Sequence, residues 1–204
     1  KSFAGFPRKC NAISIEEYGL HESVKDLSGC SEEVKFSLSI FACGGIESLN
    51  GFPKHIVEDE FNLSVRYCSN FKDFSHIPRK LEKCNISATT HFTEEDFKYL
   101  PNEVETLSLD NLENLKSLHN IHKYVKSAKR ISLYQTKIFS SILGLSMIKG
   151  LNEVEESFYD VNNDDKSWPI DGIIEIVEKY MGTQDVFEFQ EALVESGFNE
   201  LAKL

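Results

Sequence analysis

The feature of this sequence that most constrains its fold is a repeat of 23 to 25 residues. Three units share one spacing, in which a proline is followed by apolar residues three, six and eight positions later. These units begin at Pro7, Pro78 and Pro101. A unit near Val125 keeps the apolar spacing without the proline, and a unit at Pro53 is stretched by two residues. A period of this length predicts a solenoid, in which similar supersecondary units stack on one another.

The phase of the repeat follows the first apolar residue of an alternating pair in each unit. We assign this position to Ile13, Leu38, Phe61, Cys84, Leu107 and Ile131. The steps between them are 25, 23, 23, 23 and 24 residues. The alternating pair predicts a short strand with one buried face. An apolar doublet at helical or turn spacing follows, as at Phe71 and Phe74, and indicates an irregular or helical return. The predicted fold class is therefore an α/β solenoid of about six repeats, with a parallel β-sheet on its concave face.

The repeat units resemble the leucine-rich repeat family over about residues 7–150. The segment Leu100–Val104 is similar to repeats of secreted bacterial effectors, and Gly51–Lys54 resembles the repeat joints of leucine-rich repeat proteins of tailed bacteriophages. In this family an Asn or Cys follows the strand, a position that we assign to Cys43, Cys68 and Asn111. The resemblance implies a leucine-rich-repeat solenoid, a phage origin and an interaction role in the host cytoplasm.

The last quarter of the chain differs from the repeats. We expect a solenoid over residues 1–156, then an acidic linker and a helical C-terminal cap over residues 157–204. Helical apolar spacing begins after Pro169 and ends at Gly182. A second helix is predicted to begin near Asp185 and to end at Gly197, with Phe189 and Leu193 buried. Because a solenoid needs its last coil covered, these helices are expected to form the cap.

The formal charge of the protein is concentrated in the same region. Residues 151–204 contain 14 acidic and 3 basic residues, whereas the rest of the chain contains 19 of each. The net charge of −11 argues against direct binding to nucleic acid or to an anionic membrane. No apolar stretch approaches the roughly 20 residues of a membrane-spanning helix. A solvated acidic surface is the simplest interpretation of the C-terminal charge, and a docking face for a basic protein partner is the alternative.

The cysteine content indicates a reducing compartment. The chain has five cysteines, an odd number, and contains no Cys-x-x-Cys pair. This usage is far from that of a disulfide scaffold. We therefore expect a cytoplasmic location.

Residues that carry chemistry are scarce, and we expect no enzyme activity, no cofactor and no metal. The segment Asp160–Asp171 has the oxygen-donor spacing of a calcium loop, but Asp165 stands where the turn requires glycine. His119 and His122 lie three residues apart, yet no further ligand is in phase with them. The Gly44-Gly45 pair is too short for a phosphate-binding loop.

The candidate binding site is the concave face of the predicted sheet. Side chains between and beside the inward apolar pairs point outward, and the central column is small and polar. The flanking columns include aromatic and charged side chains, of which the aromatic residues and Arg are enriched at protein interfaces. The candidate partner-binding residues are Glu16, Phe41, Glu60, Lys83, Asp110, Arg130 and Tyr134. Phe41 is a core residue instead if the second repeat has a different register.

The function that we expect is a non-enzymatic protein–protein interaction module. If the phage resemblance holds, it binds and modulates a host or phage protein during counter-defence or host takeover. The alternative is an acidic, nucleic-acid-mimicking decoy whose C-terminal cap blocks a DNA- or RNA-binding protein. Binding by the decoy would weaken steeply with salt, since the attraction is between exposed charges. An enzyme with a site between the repeats and the cap is a third, less favoured class.

Overall fold

The structure is built around one parallel β-sheet. A computed structural model describes residues 3, 5–16, 23–57, 60–136, 138, 140–156 and 170–203. The strands are β1 (Lys9–Glu16), β2 (Glu33–Phe41), β3 (His55–Ile56), β4 (Asn62–Arg66), β5 (Lys80–Ser87), β6 (Glu103–Asp110), β7 (Ser127–Leu133) and β8 (Glu153–Glu156). They pair in the order β1-β2-β4-β5-β6-β7-β8, with β3 also paired to β2. The chain is thus a parallel-strand solenoid of about six turns, and the solenoid prediction is confirmed.

The core lies between the sheet and the returns. Each long strand buries its alternating apolar pair, such as Leu38 and Ile40 in β2, because the neighbouring coils cover the inward face of the sheet. The returns bury the second apolar doublet, and the rings of Phe71 and Phe74 meet edge to face with centroids 4.9 Å apart. Short 3-10 helices lie in three returns, at Glu94–Tyr99, Ile121–Lys123 and Leu143–Leu145. The predicted helical or irregular returns are therefore observed.

In five successive coils, the chain leaves the sheet through the same type of backbone turn. The first residue after the strand, or the second in the case of β7, has a left-handed conformation with φ between 49° and 57°, although none of these residues is glycine. They are Ala42, Tyr67, Ala88, Asn111 and Gln135. Four of them donate their backbone N–H to the next coil, for example Tyr67 to the carbonyl oxygen of Ser87 at 3.0 Å. This turn sets where each strand ends and aligns the ends of neighbouring strands.

A buried ladder follows these left-handed residues. Its members are Cys43, Cys68, Thr89, Leu112 and Thr136, each directly after one of them. Cys43 and Cys68 donate from Sγ to the carbonyl oxygens of Phe41 and Arg66, over 3.2 Å and 3.3 Å. The two cysteines therefore share one position of the coil, whereas Asn111 lies one residue before that position. That residue takes the left-handed position, which asparagine tolerates better than most residues.

The third repeat is out of the predicted phase by two residues. Leu63, not Phe61, pairs with Leu38 and with Cys84. β3 pairs with the start of β2, and residues 57–61 then separate β3 from β4, so this unit carries a longer insertion than the sequence suggested. Phe61, Leu63 and Val65 alternate as three apolar residues and are all buried, and therefore two registers satisfy the pattern equally well. Strand pairing selects the second of them.

Two helices follow the last strand, α1 (Ile170–Tyr180) and α2 (Val186–Glu195). Both lie where the sequence predicts helices, and the Asp185 side chain caps α2 by accepting from the Glu188 N–H at 3.1 Å. The ring of Tyr180 stacks on Phe189, with centroids 5.7 Å apart. The Gly182 N–H donates to the carbonyl oxygen of Leu145 in the last return, at 3.2 Å.

Two features of the C-terminal region lie outside the described residues. The predicted linker, residues 157–168, lies there, as does nearly all of the segment Asp160–Asp171 that resembles a calcium loop. Within the described part of the chain, neither α1 nor α2 is long enough to cross a bilayer, and no other helix is long and apolar enough.

Candidate functional site

The candidate site is the face of the sheet that points away from the core, which we call the open face. It is formed by three rows of side chains, each with one residue per long strand. The central row is Ser14, Ser39, Ser64, Asn85, Ser108, Ser132 and Glu155. Six of these seven side chains are small or medium-sized and uncharged, so the floor of the face is shallow and polar.

The two flanking rows carry larger and more varied side chains. The row on the N-terminal side of each strand is Ala12, Ser37, Asn62, Lys83, Thr106, Arg130 and Glu153. The row at the strand ends is Glu16, Phe41, Arg66, Ser87 and Asp110, continued by Tyr134. The prediction of a small polar floor between varied flanks therefore agrees with the observed register.

Six of the seven predicted site residues lie in these rows. The exception is Glu60, which is exposed but precedes β4, because the third repeat is shifted by two residues. Asn62 occupies the position that we had assigned to Glu60. The same shift places Ser64 in the central row instead of Asn62, and Arg66 in the strand-end row instead of Ser64.

An aromatic cluster stands at the strand ends of β2 and β4. The Phe41 ring meets Tyr67 edge to face with centroids 5.4 Å apart, and the Arg66 guanidinium carbon lies 5.4 Å from the Phe41 centroid. Phe41 is half-buried by these two neighbours, so it is neither a core residue nor fully exposed. Tyr67 is 56% exposed. An exposed aromatic next to an arginine is a typical interface anchor.

The backbone conformation of Tyr67 also supports the interpretation of this cluster as an interface anchor. Its φ is 57°, a left-handed conformation that a bulky residue adopts only at a cost in stability. Equivalent positions in other coils hold Ala42, Ala88, Asn111 and Gln135. Since neither burial nor backbone preference explains a tyrosine here, a role outside folding is the better explanation. Sequence reasoning missed Arg66 and Tyr67 because the wrong register placed them beyond the strand.

Two asparagines on the open face have unused hydrogen-bonding capacity. Asn62 and Asn85 lie on the adjacent strands β4 and β5, beside the aromatic cluster. Their Oδ1 atoms are buried and have no donor among the described residues. Buried acceptors normally find a partner. These two oxygens could accept an N–H group from a bound chain or from water once the amide groups rotate toward the open face.

The other predicted residues are divided between the two halves of the face. Glu16 lies on the edge strand β1, and Lys83 lies mid-sheet, 3.8 Å from Glu82. Asp110, Arg130 and Tyr134 come together around a depression of about 390 Å³ formed by β6, β7 and β8. Thus the open face has an aromatic end and a charged end, separated by a serine-rich floor.

The described residues contain little reactive chemistry. Among them, no three His, Cys, Asp or Glu side chains are grouped so that they could hold a metal ion. His122 Nδ1 lies 3.0 Å from the carbonyl oxygen of His119, so the histidine pair makes a local structural contact. Burial raises the pKa of the Cys84 thiol to about 12, which keeps it protonated and unreactive at neutral pH.

No protein-family model, curated protein or solved structure matches this chain. The repeat and the open face are therefore the features from which its function is inferred.

Proposed function

We propose that the protein is a non-enzymatic protein–protein interaction module, and that its partner binds across the open face. The observation that supports this most strongly is the strained, exposed Tyr67 packed on Phe41 beside Arg66. Aromatic and arginine side chains supply most of the binding energy at many protein interfaces. The face is also continuous along the solenoid, since successive strands add side chains to the same rows.

The shape and chemistry of the floor favour an extended segment of the partner. The central row is low and polar from β1 to β7, and several larger side chains stand on both sides of it. A chain lying over Asn62 and Asn85 could donate backbone N–H groups to their unpaired Oδ1 atoms. The aromatic cluster would then hold one side chain of the same segment.

We also propose a repeat family for the protein. We take the repeat as a leucine-rich repeat, supported by its strand period, its proline joints and the cysteine–threonine ladder after the strands. We take α1 and α2 as the cap of the last coil. The loop between them donates hydrogen bonds to Leu145 and Ser146, and the segment after α2 accepts one from Ile142. The resemblance to phage proteins would place the partner among host or phage proteins of the bacterial cytoplasm.

The experiment that tests the proposal is affinity capture from the source cells with variants of the open face. Tyr67→Asn removes the aromatic anchor and places a residue suited to the left-handed backbone, so the fold should be kept. Ser64→Arg raises the floor of the face. We expect each variant to weaken partner capture at least about tenfold, the effect of losing one interface anchor.

Matched controls separate binding from folding in this experiment. Gln135→Asn changes an equivalent left-handed position far from the aromatic cluster, and Glu95→Arg adds an arginine in a return, off the sheet. Both controls should capture the partner as the unaltered protein does. Capture that survives Tyr67→Asn and Ser64→Arg would overturn the proposal.

The acidic decoy is a second candidate, favoured by one observation. The glutamates of α1, α2 and the C-terminal turn are exposed, and they are Glu175, Glu178, Glu188, Glu191, Glu195 and Glu200. A decoy would lose its partner when four of these (Glu175, Glu178, Glu188 and Glu191) are changed to Gln, and would lose it at high salt. An open-face module would keep its partner after the same four changes.

A further inference from the structure

The charged end of the open face contains a depression of about 390 Å³ between β6, β7 and β8. Ser108 and Ser132 form part of its floor, and the larger side chains of Asp110, Arg130, Tyr134 and Glu155 surround it. All of these residues belong to the rows of the open face. The depression is therefore continuous with the surface that we propose for the partner.

Asp110 is held in one position by the protein itself. Its Oδ1 accepts the Ser132 hydroxyl at 2.6 Å and the Tyr134 backbone N–H at 2.9 Å. Burial raises the pKa of this carboxyl, although the two hydrogen bonds oppose the shift, and the negative charge of Glu155 raises it further. Among the described residues, no cation forms an ion pair with the Asp110 carboxylate.

The only cation that lines the depression, among the described residues, is already shared between two acids. Arg130 Nη2 lies 2.7 Å from Glu153 Oε1 and 3.3 Å from Glu155 Oε2. Its Nε atom is buried and has no hydrogen-bond partner in the described part of the chain. With Asp110 included, three carboxylates stand against one guanidinium, which leaves a local formal charge of −2.

Tyr134 provides a flat wall beside these carboxylates. Tyr134 is 53% exposed, so part of its ring is open to a ligand. A guanidinium group stacks on an aromatic face and also donates planar, paired hydrogen bonds to carboxylates. An ammonium group has the charge but not the planar shape.

We propose that this depression binds an arginine side chain of the partner protein. The guanidinium would donate to Asp110 and Glu155 and would stack on the Tyr134 ring. The proposal rests on the proposed function, because it names the side chain that the partner presents to the charged end of the same face. Because the depression has a net negative charge, charge complementarity favours a basic segment of the partner over an acidic or an apolar one.

The test uses a small probe, so that it does not depend on the identity of the partner. We would titrate the ¹⁵N-labelled protein with N-acetyl-arginine-methylamide and follow the backbone amides by NMR. We expect saturable shifts centred on Ser132 and Tyr134. The lysine derivative should bind several-fold more weakly, and the norleucine derivative should produce no saturable shift.

Variants locate the site of probe binding. Asp110→Asn and Glu155→Gln should each weaken binding about fivefold or more, as expected for the loss of one close charge partner. Glu155 is exposed, so its variant tests the proposal even if Asp110→Asn impairs folding. The matched control is Glu105→Gln, on the same strand β6, whose carboxylate pairs with Lys129 outside the depression. Its affinity for the probe should be unchanged.

Three results would overturn this proposal: no saturable shift, equal binding of the arginine and norleucine derivatives, or equal binding of lysine and arginine. Failure of the proposed function is a separate result. If partner capture survives Ser64→Arg while the arginine probe still binds, the open-face function is wrong. If Ser64→Arg abolishes capture and the probe does not bind, only the arginine site is wrong.

Discussion

The hydroxyl group of Thr136 connects two neighbouring coils through two hydrogen bonds. Its Oγ1 donates to the carbonyl oxygen of Leu109 at 2.6 Å and accepts the Leu112 N–H at 3.1 Å. Both backbone groups belong to the preceding coil, and Thr136 is only 1% exposed. Thr89 occupies the same ladder position in an earlier coil, but its Oγ1 has no partner among the described residues.

These two threonines provide a matched pair for measuring the ladder. Thr136→Val keeps the shape of the side chain and leaves two buried backbone groups unpaired. We expect it to lower the free energy of unfolding by about 1–3 kcal/mol. Thr89→Val removes a hydroxyl that is buried without a partner, so it should change stability by less than about 1 kcal/mol or raise it. Urea denaturation measures both, and equal losses would contradict the ladder assignment.

At the scale of the element, the coils approach one another closely at a few joints. Gly51 has φ of +82°, and a Cβ atom there would lie 2.6 Å from the backbone carbon of Leu27. The two backbones are held together at this point, because the Leu27 N–H donates to the carbonyl oxygen of Asn50 at 2.7 Å. The first joint therefore requires glycine for both conformation and space.

Gly51→Ala should lower the free energy of unfolding by more than about 2 kcal/mol, because both the left-handed φ and the close contact are unfavourable for alanine. Gly44→Ala is the control, since Gly44 lies in the same return as Gly51 and a Cβ there meets nothing within 4 Å. The control should change stability by less than about 1 kcal/mol. If urea denaturation gives similar free energies of unfolding for the two variants, the close contact at Gly51 does not make alanine unfavourable there.

An ion-pair relay links three successive coils on the same side of the solenoid. Glu47 Oε1 lies 2.8 Å from Lys25 Nζ, and Glu47 Oε2 lies 2.5 Å from Lys72 Nζ. The hydrogen bonds from Lys25 and then Lys72 lower the pKa of the Glu47 carboxyl from about 4.5 to about 2. A lowered folded-state pKa stabilises the fold above the unfolded-state value, and this contribution is lost as the pH falls towards 2.

The relay predicts a pH-dependent effect of Glu47→Gln. At pH 7 the variant should melt at a lower temperature than the unaltered protein. The difference should shrink as the pH falls below about 4.5 and should disappear near pH 2. Salt should also reduce it, because the pairs are largely exposed. A difference that is constant from pH 7 to pH 3 would show that packing, not charge, accounts for the effect.

The elements were predictable from the sequence wherever local pattern decides them. The strand pairs, both helices and the small polar floor follow from apolar spacing and from capping residues such as Asp185. The register of β4 was not predictable, because Phe61, Leu63 and Val65 satisfy two phases and only pairing with β2 and β5 chooses between them. Because of this ambiguity in register, the sequence analysis did not include Arg66 and Tyr67 in the candidate site and wrongly included Glu60.

At the scale of the whole molecule, the open face joins the two proposals. The aromatic end at β2 and β4 and the charged end at β6, β7 and β8 are separated by strand β5 and share one serine-rich floor. Strands in a sheet lie about 4.8 Å apart, so the two ends are roughly 15 Å from each other. An extended segment of about five residues spans that distance.

The exposed aromatic residues allow a direct test of which surface meets the partner. Tyr67 and Tyr134 stand at the two ends of the open face, and Phe187 stands on α2 with 76% of its side chain exposed. Each can be replaced by the photoreactive p-benzoylphenylalanine, because these positions are exposed and have room for its added benzoyl group. The probe on α2 reports on the acidic helices, which are the surface that the decoy alternative requires.

The measurement that tests the central claim most directly is photo-crosslinking in the source cells from these three positions. We expect one and the same partner to be cross-linked from positions 67 and 134 but not from position 187. Ser64→Arg should abolish both cross-links. A partner that is cross-linked from position 187 alone, or one that persists in the presence of Ser64→Arg, would contradict the claim that the open face is the binding surface.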